Sequence, residues 1–132
     1  MNQRQRKRIR SVLDEALMLY RRGQLAAAAS LYQQVLLSSP RNAEALHQLG
    51  VIAARNHNYL AALQLINRAI ELEPDSAAMF SDRGIVLQNL NLWNEALASY
   101  DRALAIEPDH AQALNNRGVA LHELKRFEEA LR

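Results

Sequence analysis

Pro40, Pro74 and Pro108 stand 34 residues apart, and three further residue classes keep the same interval. Gly50, Gly84 and Gly118 share it, as do Ala28, Ala62, Ala96 and Ala130, and the large apolar series Leu25, Tyr59, Trp93 and Phe127. A fixed period of this length marks a chain of stacked supersecondary units, none of which can bury its apolar face alone. Neighbouring units must therefore supply each other's core.

Within a period the apolar spacing is helical. In the third unit Phe80, Gly84, Leu87 and Leu90 follow steps of four and three, and Trp93, Ala96, Leu97 and Tyr100 do the same. Gly23-Gln24, His57-Asn58 and Asn91-Leu92 separate the two stretches, and Gly and Asn tolerate the left-handed backbone that ends a helix. The proline closing each period cannot continue the helix before it. Each unit thus reads as a helical hairpin and a tight turn. The pattern predicts helix pairs at 9–22 and 25–38, 43–56 and 59–72, 77–90 and 93–106, then 111–124 with a restart at 127. Ala16, Gly50, Gly84 and Gly118 on first helices, and Ala28, Ala62, Ala96 and Ala130 on second helices, are expected to face each other and permit close approach. Glu71, Glu73, Asp75, Glu107 and Asp109 cluster around the turns, where they can cap the next helix.

At 132 residues and 49% hydrophobic, the chain carries enough apolar surface for a buried core. Having no cysteine, it has no disulfide framework, thiol nucleophile or Cys-ligated metal site. Its apolar runs are too short for a membrane helix, and a cytoplasmic setting is expected. Residues 1–42 hold eight Lys/Arg against two Asp/Glu, and residues 43–132 hold eight against twelve. Arg4, Arg6, Lys7, Arg8 and Arg10 form a basic cluster in the first ten residues, and residues 1–8 are expected to be a solvated extension. No basic face continues it, so nucleic acid is not the expected partner.

The period, the small residue at the eighth place, Ala at the twentieth, the small residue at the twenty-seventh (Ala69, Ala103) and Pro at the thirty-second resemble the tetratricopeptide repeats. The resemblance covers residues 9–132 as repeats 9–42, 43–76, 77–110 and a truncated 111–132. It implies an all-α fold, a right-handed α-solenoid of stacked antiparallel helix pairs. The fourth place holds Val12, Leu46, Phe80 and Leu114, which is ordinary variation. The Leu usual before the small residue is kept only as Leu49 and becomes Glu15, Arg83 and Arg117 elsewhere, and Val35 replaces a small residue in the first unit. The fourth second helix stops six residues in, at Arg132, leaving Val119, Leu121 and Leu124 with only Phe127, Ala130 and Leu131 to cover them. This is the pattern expected of a fragment of a longer protein. If the chain is whole, its open end is expected to associate with a second copy.

No catalytic motif accompanies the repeats. The glycines form no phosphate loop, and no His-Glu-x-x-His pair exists among His47, His57, His110 and His122. No metal or cofactor is expected, and no enzymatic activity of the chain itself. What a solenoid offers is a concave surface. In the family it is lined by first-helix residues at the second, fifth, sixth, ninth, twelfth and thirteenth places. Carried onto this sequence, the first repeat gives Leu13, Asp14, Leu17, Tyr20 and Arg21, and the second His47, Gln48, Val51, Ala54 and Arg55. The third gives Ser81, Asp82, Ile85, Gln88 and Asn89, and the fourth Asn115, Asn116, Val119, His122 and Glu123.

The resemblance implies a groove for an extended peptide of a protein partner. Gln48, Asp82 and Asn116 would hydrogen-bond its backbone, while Arg55, His47 and His122 select its charge. The chaperone-adaptor type of repeat grips a terminal carboxylate with Lys and Asn where this chain has Leu13 and Leu17, which disfavours that ligand. Arrays preceding protein O-glycosyltransferase domains carry Asn at the sixth place, matched here by Asn116 alone. A substrate-recognition arm of a larger glycosyl- or sulfotransferase is therefore the alternative expectation.

Overall fold

A computed structural model of the chain describes residues 1–131, which form helices α1 (Gln3–Arg21), α2 (Leu25–Ser38), α3 (Ala43–Arg55), α4 (Tyr59–Leu72), α5 (Ala77–Asn89), α6 (Trp93–Ile106) and α7 (Ala111–Ala130). Each packs on the next, and α3 with α5, and α5 with α7, also touch, which is the arrangement of a helical-repeat solenoid.

Hairpin geometry follows from three left-handed residues. Gly23, His57 and Asn91 have φ of 79°, 61° and 62°. Each lets the residue after it reach back five positions, as Gln24 N–H to Leu19 O at 2.9 Å, Asn58 to Ala53 at 2.8 Å and Leu92 to Leu87 at 2.9 Å. These bonds satisfy carbonyls that the helix end would leave bare. The fourth place in the series falls on Lys125, which has no positive φ. A Cβ disfavours the left-handed region, and lysine lacks the short polar side chain that lets Asn tolerate it. α7 therefore runs unbroken to Ala130, and the restart expected at 127 does not occur. Val119 and Leu121 remain exposed, and Phe127 lies 48% exposed with its ring 6.5 Å from that of Trp93.

The first helix also departs from expectation. It begins at Gln3, so residues 3–8 are helical and run straight into the first repeat. Asn2 and Gln5 explain this: Asn2 Oδ1 accepts Gln5 N–H at 2.8 Å and Gln5 Oε1 accepts Asn2 N–H at 3.0 Å, a reciprocal cap. Farther along α1, Arg10 donates to both carboxylate oxygens of Glu44 at 3.0 and 2.9 Å, tying the first helix of one repeat to that of the next. The turn carboxylates do not cap the later first helices. Asn42, Ser76 and His110 do, accepting from Ala45, Met79 and Ala113 N–H. Each lies immediately before its helix, where a short acceptor reaches the third N–H, whereas the acidic residues sit a position or more earlier.

Core packing turns on a residue the periodicity left unremarked. Tyr32, Ile66 and Tyr100, 34 apart, are all 0% exposed. A Cβ on Gly50 would stand 2.6 Å from Ile66 Cγ1, and one on Gly84 would stand 2.7 and 2.8 Å from Tyr100 Cδ1 and Cζ. The glycines thus make room for the large side chain 16 positions on, more than for the facing alanines, although Ala62 O lies 3.2 Å from the Gly50 position. Around Gly118 nothing comes within 4 Å, because no second helix returns over it. Buried residues form two clusters. One joins Leu13, Ala16, Ala28, Tyr32 and Val35 to Ala45, Leu49 and Ile52; the other runs from Ala43 and Leu46 through Tyr100 to Ala120. α3 contributes a stripe to each.

Candidate functional site

The first helices present a cavity of about 280 Å³ on the concave side. Tyr20 enters from α1, Val51, Ala54 and Arg55 from α3, Asp82, Ile85, Val86 and Asn89 from α5, and Gln112 from α7. Tyr59 and Ile66 of α4 complete the wall. Expected residues Tyr20, Val51, Arg55, Asp82, Ile85 and Asn89 are thus brought together by the repeat register. Val51 and Ile85, half-buried, occupy the same place in successive repeats and make an apolar floor.

Two cross-repeat pairings order the polar rim. His47 Nε2 lies 2.7 Å from Asp82 Oδ2, linking α3 to α5. Arg55 stacks over the Tyr20 ring at 5.1 Å, linking α3 to α1. Asn89 Nδ2 donates to Ile85 O at 2.9 Å, which fixes its amide against α5. His47 and Asp82 therefore engage each other, and only the remaining oxygen of Asp82 is free for a ligand.

Other expected residues lie elsewhere. Ser81 is 0% exposed, with its hydroxyl buried, so it belongs to the core and not to a groove lining. Leu13 is likewise buried. Gln88 Oε1 accepts from Tyr100 O–H at 2.8 Å and is held against the hairpin. Asp14 is exposed and paired with Arg10 at 3.0 Å. Gln48 and Asn116 are half-buried on α3 and α7, outside the cavity wall. Asn115, Val119 and His122 are exposed on α7. Tyr59, Ile66, Val86 and Gln112 were not anticipated. Gln112 stands at the second place of its repeat, so the family's lining pattern contained the signal; Tyr59 reads from sequence only as hairpin filling.

Chemically, the site is suited to binding. Its walls combine two phenols, a guanidinium, a carboxylate and two amides around an aliphatic floor. No group of three or more His, Cys, Asp or Glu among the described residues is placed to hold a metal ion. Nor is any described helix long and apolar enough to cross a membrane.

No curated protein sequence matches the chain. Among solved structures, an O-GlcNAc transferase from Thermobaculum terrenum superposes with a TM-score of 0.89 at 33% identity, over 92% of this chain and 24% of that one. The chain thus spans about a quarter of that transferase's length. The first TPR of Spaghetti (RPAP3), bound to the HSP90 peptide SRMEEVD, gives 0.85 at 20% identity over 90% of this chain and 94% of that one. The Sgt2 TPR domain from Aspergillus fumigatus gives 0.87 at 14% identity over 95% and 84%. The sequence profile of the tetratricopeptide repeat matches residues 13–77 and 81–132. With its period, its hairpins and this match in agreement, the chain belongs to the tetratricopeptide repeat family.

Proposed function

We propose that the chain is a protein-interaction module whose concave face holds an extended segment of a partner protein. One observation carries the reading: a single cavity reaches from Tyr20 on α1 to Gln112 on α7, with Val51 and Ile85 as floor and Arg55 and Asp82 as opposed charges. An aliphatic or aromatic side chain fits the floor. Asn89 and Gln112 offer amide groups to the backbone on either side, and the Arg55 and Asp82 charges select flanking residues of opposite sign. The peptide held by the RPAP3 repeat domain, a relative in fold, supports a groove ligand of this kind. A terminal carboxylate is a poor candidate, because Leu13 is buried and Leu17 is aliphatic.

Peptide display against the whole chain tests the proposal, with affinities of the enriched peptides compared between wild type and Ile85→Glu. A carboxylate on the floor should weaken binding by roughly tenfold or more, since its desolvation opposes an apolar side chain there. Circular dichroism checks that the variant keeps its helices. Peptides that bind a folded Ile85→Glu protein as tightly as wild type would refute the groove.

A second reading, that the chain is a recognition arm of a larger enzyme, is favoured by the 33% identity to the O-GlcNAc transferase. The same cavity would then receive the substrate protein.

A further inference from the structure

The face opposite the groove carries a charge the fold does not balance. Arg83 on α5 replaces the Leu that stands at the same place as Leu49. Its guanidinium is half-buried between the two neighbouring second helices, with Nε donating to Ser99 Oγ at 3.0 Å and Nη1 to Asn67 Oδ1 at 3.3 Å. Both partners are neutral. One repeat later Arg117 holds the same place, and its Nε donates to Asp101, 34 residues after Asn67. Repeat symmetry therefore supplies an internal control. Where Arg117 finds a carboxylate, Arg83 finds an amide.

A second cation adds to the imbalance. Arg102 on α6 and Arg83 both stack on the Phe80 ring, at 5.2 and 5.0 Å from its centroid, and among the described residues neither pairs with a carboxylate. Burial first, and then Arg102, lower the pKa of Arg83. Beside Arg83 opens a cavity of about 320 Å³, lined also by Leu63, Asn67, Leu87, Glu95, Ala98 and Ser99, with Arg102 outside its wall. Glu95, Ser99 and Arg102 fall on one stripe of α6, which sets Glu95 about 10 Å from Arg102 along the helix.

We infer that Arg83 and Arg102 form an anion-binding site on the convex face, taking the carboxylate or phosphoryl group of an acidic side chain on a partner protein. The ligand supplies the charge that Asp101 supplies to Arg117. Guanidinium groups suit both anions, since their fork of donors matches two oxygens at once. Glu95 on the cavity wall, and the excess of twelve Asp/Glu over eight Lys/Arg in residues 43–132, repel an extended polyanion such as nucleic acid. A single anionic side chain meets only the local charges, where Arg83 and Arg102 outnumber Glu95. The site is separate from the concave cavity and does not depend on it.

Titration of the ¹⁵N-labelled chain, followed at the arginine Nε resonances, tests the assignment. The probes are inorganic phosphate, a short peptide with one phosphoserine, and the same peptide with glutamate in its place. Saturable shifts confined to Arg83 and Arg102 with at least one peptide support the site, and the comparison of the two peptides shows which anion it prefers. Arg83→Leu, which installs the residue of the second repeat, should weaken that binding about tenfold or more. Asn67→Asp should do the same by providing an internal counter-charge while leaving Arg83 in place. Shifts spread equally over the exposed arginines, no shift with either peptide, binding of inorganic phosphate alone, or affinity unchanged in both folded variants would overturn it.

Discussion

Replacing Gly84 with alanine adds one methyl group, and the structure fixes where that group must go. The new Cβ would lie 2.7 Å from Tyr100 Cδ1 and 2.8 Å from Cζ, well inside van der Waals contact. Tyr100 has nowhere to retreat: it is 0% exposed, and its hydroxyl donates to Gln88 at 2.8 Å. Relief requires the ring to swing or α5 and α6 to separate, an overpacking cost of about 1–3 kcal/mol, with up to about 1 kcal/mol more if the hydrogen bond is lost. Against this, alanine favours a helix interior over glycine by about 1 kcal/mol. At its central value overpacking wins, and the net loss should be about 1 kcal/mol, rising to about 3 kcal/mol if the hydrogen bond is lost. Gly118→Ala is the matched control, because nothing lies within 4 Å of the added atom and only the propensity gain remains. It should stabilise by up to about 1 kcal/mol. Urea unfolding followed by circular dichroism at 222 nm reads both changes. In a Tyr100→Ala background the Gly84→Ala penalty should vanish, which isolates the contact as the cause. A Gly84→Ala protein as stable as wild type, or the same sign of effect at both glycines, would refute the reasoning.

Two further outcomes are expected. Burial, reinforced by Glu44, pushes the Tyr32 phenol up to about 12 from its usual value near 10, and burial raises Tyr100 further. The unfolded chain then releases its phenolic protons first, so stability is full below about pH 10 and falls as pH rises through 12. Tyr32→Phe should move alkaline unfolding to higher pH, read as phenolate absorbance at 295 nm and helicity at 222 nm; an unmoved midpoint would count against the buried phenol. Asn42→Ala removes the acceptor that Ala45 N–H reaches at 2.9 Å and should cost about 1 kcal/mol in the same urea assay. A loss indistinguishable from zero would show that the cap is dispensable.

Most of the fold is legible in the sequence because it is written three times. Pro40, Pro74 and Pro108 end periods, Gly23, His57 and Asn91 end first helices, and every hairpin from α1 to α6 follows from them. Expectation parts from structure at the two ends, where the period no longer instructs. Asn2 with Gln5 starts α1 early, and Lys125 fails to stop α7. The cavity wall was legible where a place in the repeat decides exposure, as for Val51, Arg55, Asp82 and Ile85. It was not legible where side-chain size or pairing decides. Ser81 is small enough to be covered by its neighbours, Gln88 is claimed by Tyr100, and His47 with Asp82 satisfy one another. Such pairings join residues 12 or 35 positions apart and leave no mark on a 34-residue rhythm.

The division of buried residues into two clusters along α3 gives the solenoid a mechanical seam. Ala45, Leu49 and Ile52 pack on the first hairpin and Ala43 and Leu46 on the rest, and only Leu36 of α2 and Leu65 of α4 touch both clusters. Tyr20 lies on one side of that seam and Asp82 and Ile85 on the other, yet all three border one cavity. A segment lodged there would act as a splint across the seam. It would couple the two clusters, and part of its binding energy would go into stiffening α3, the helix whose Val51 and Arg55 it touches.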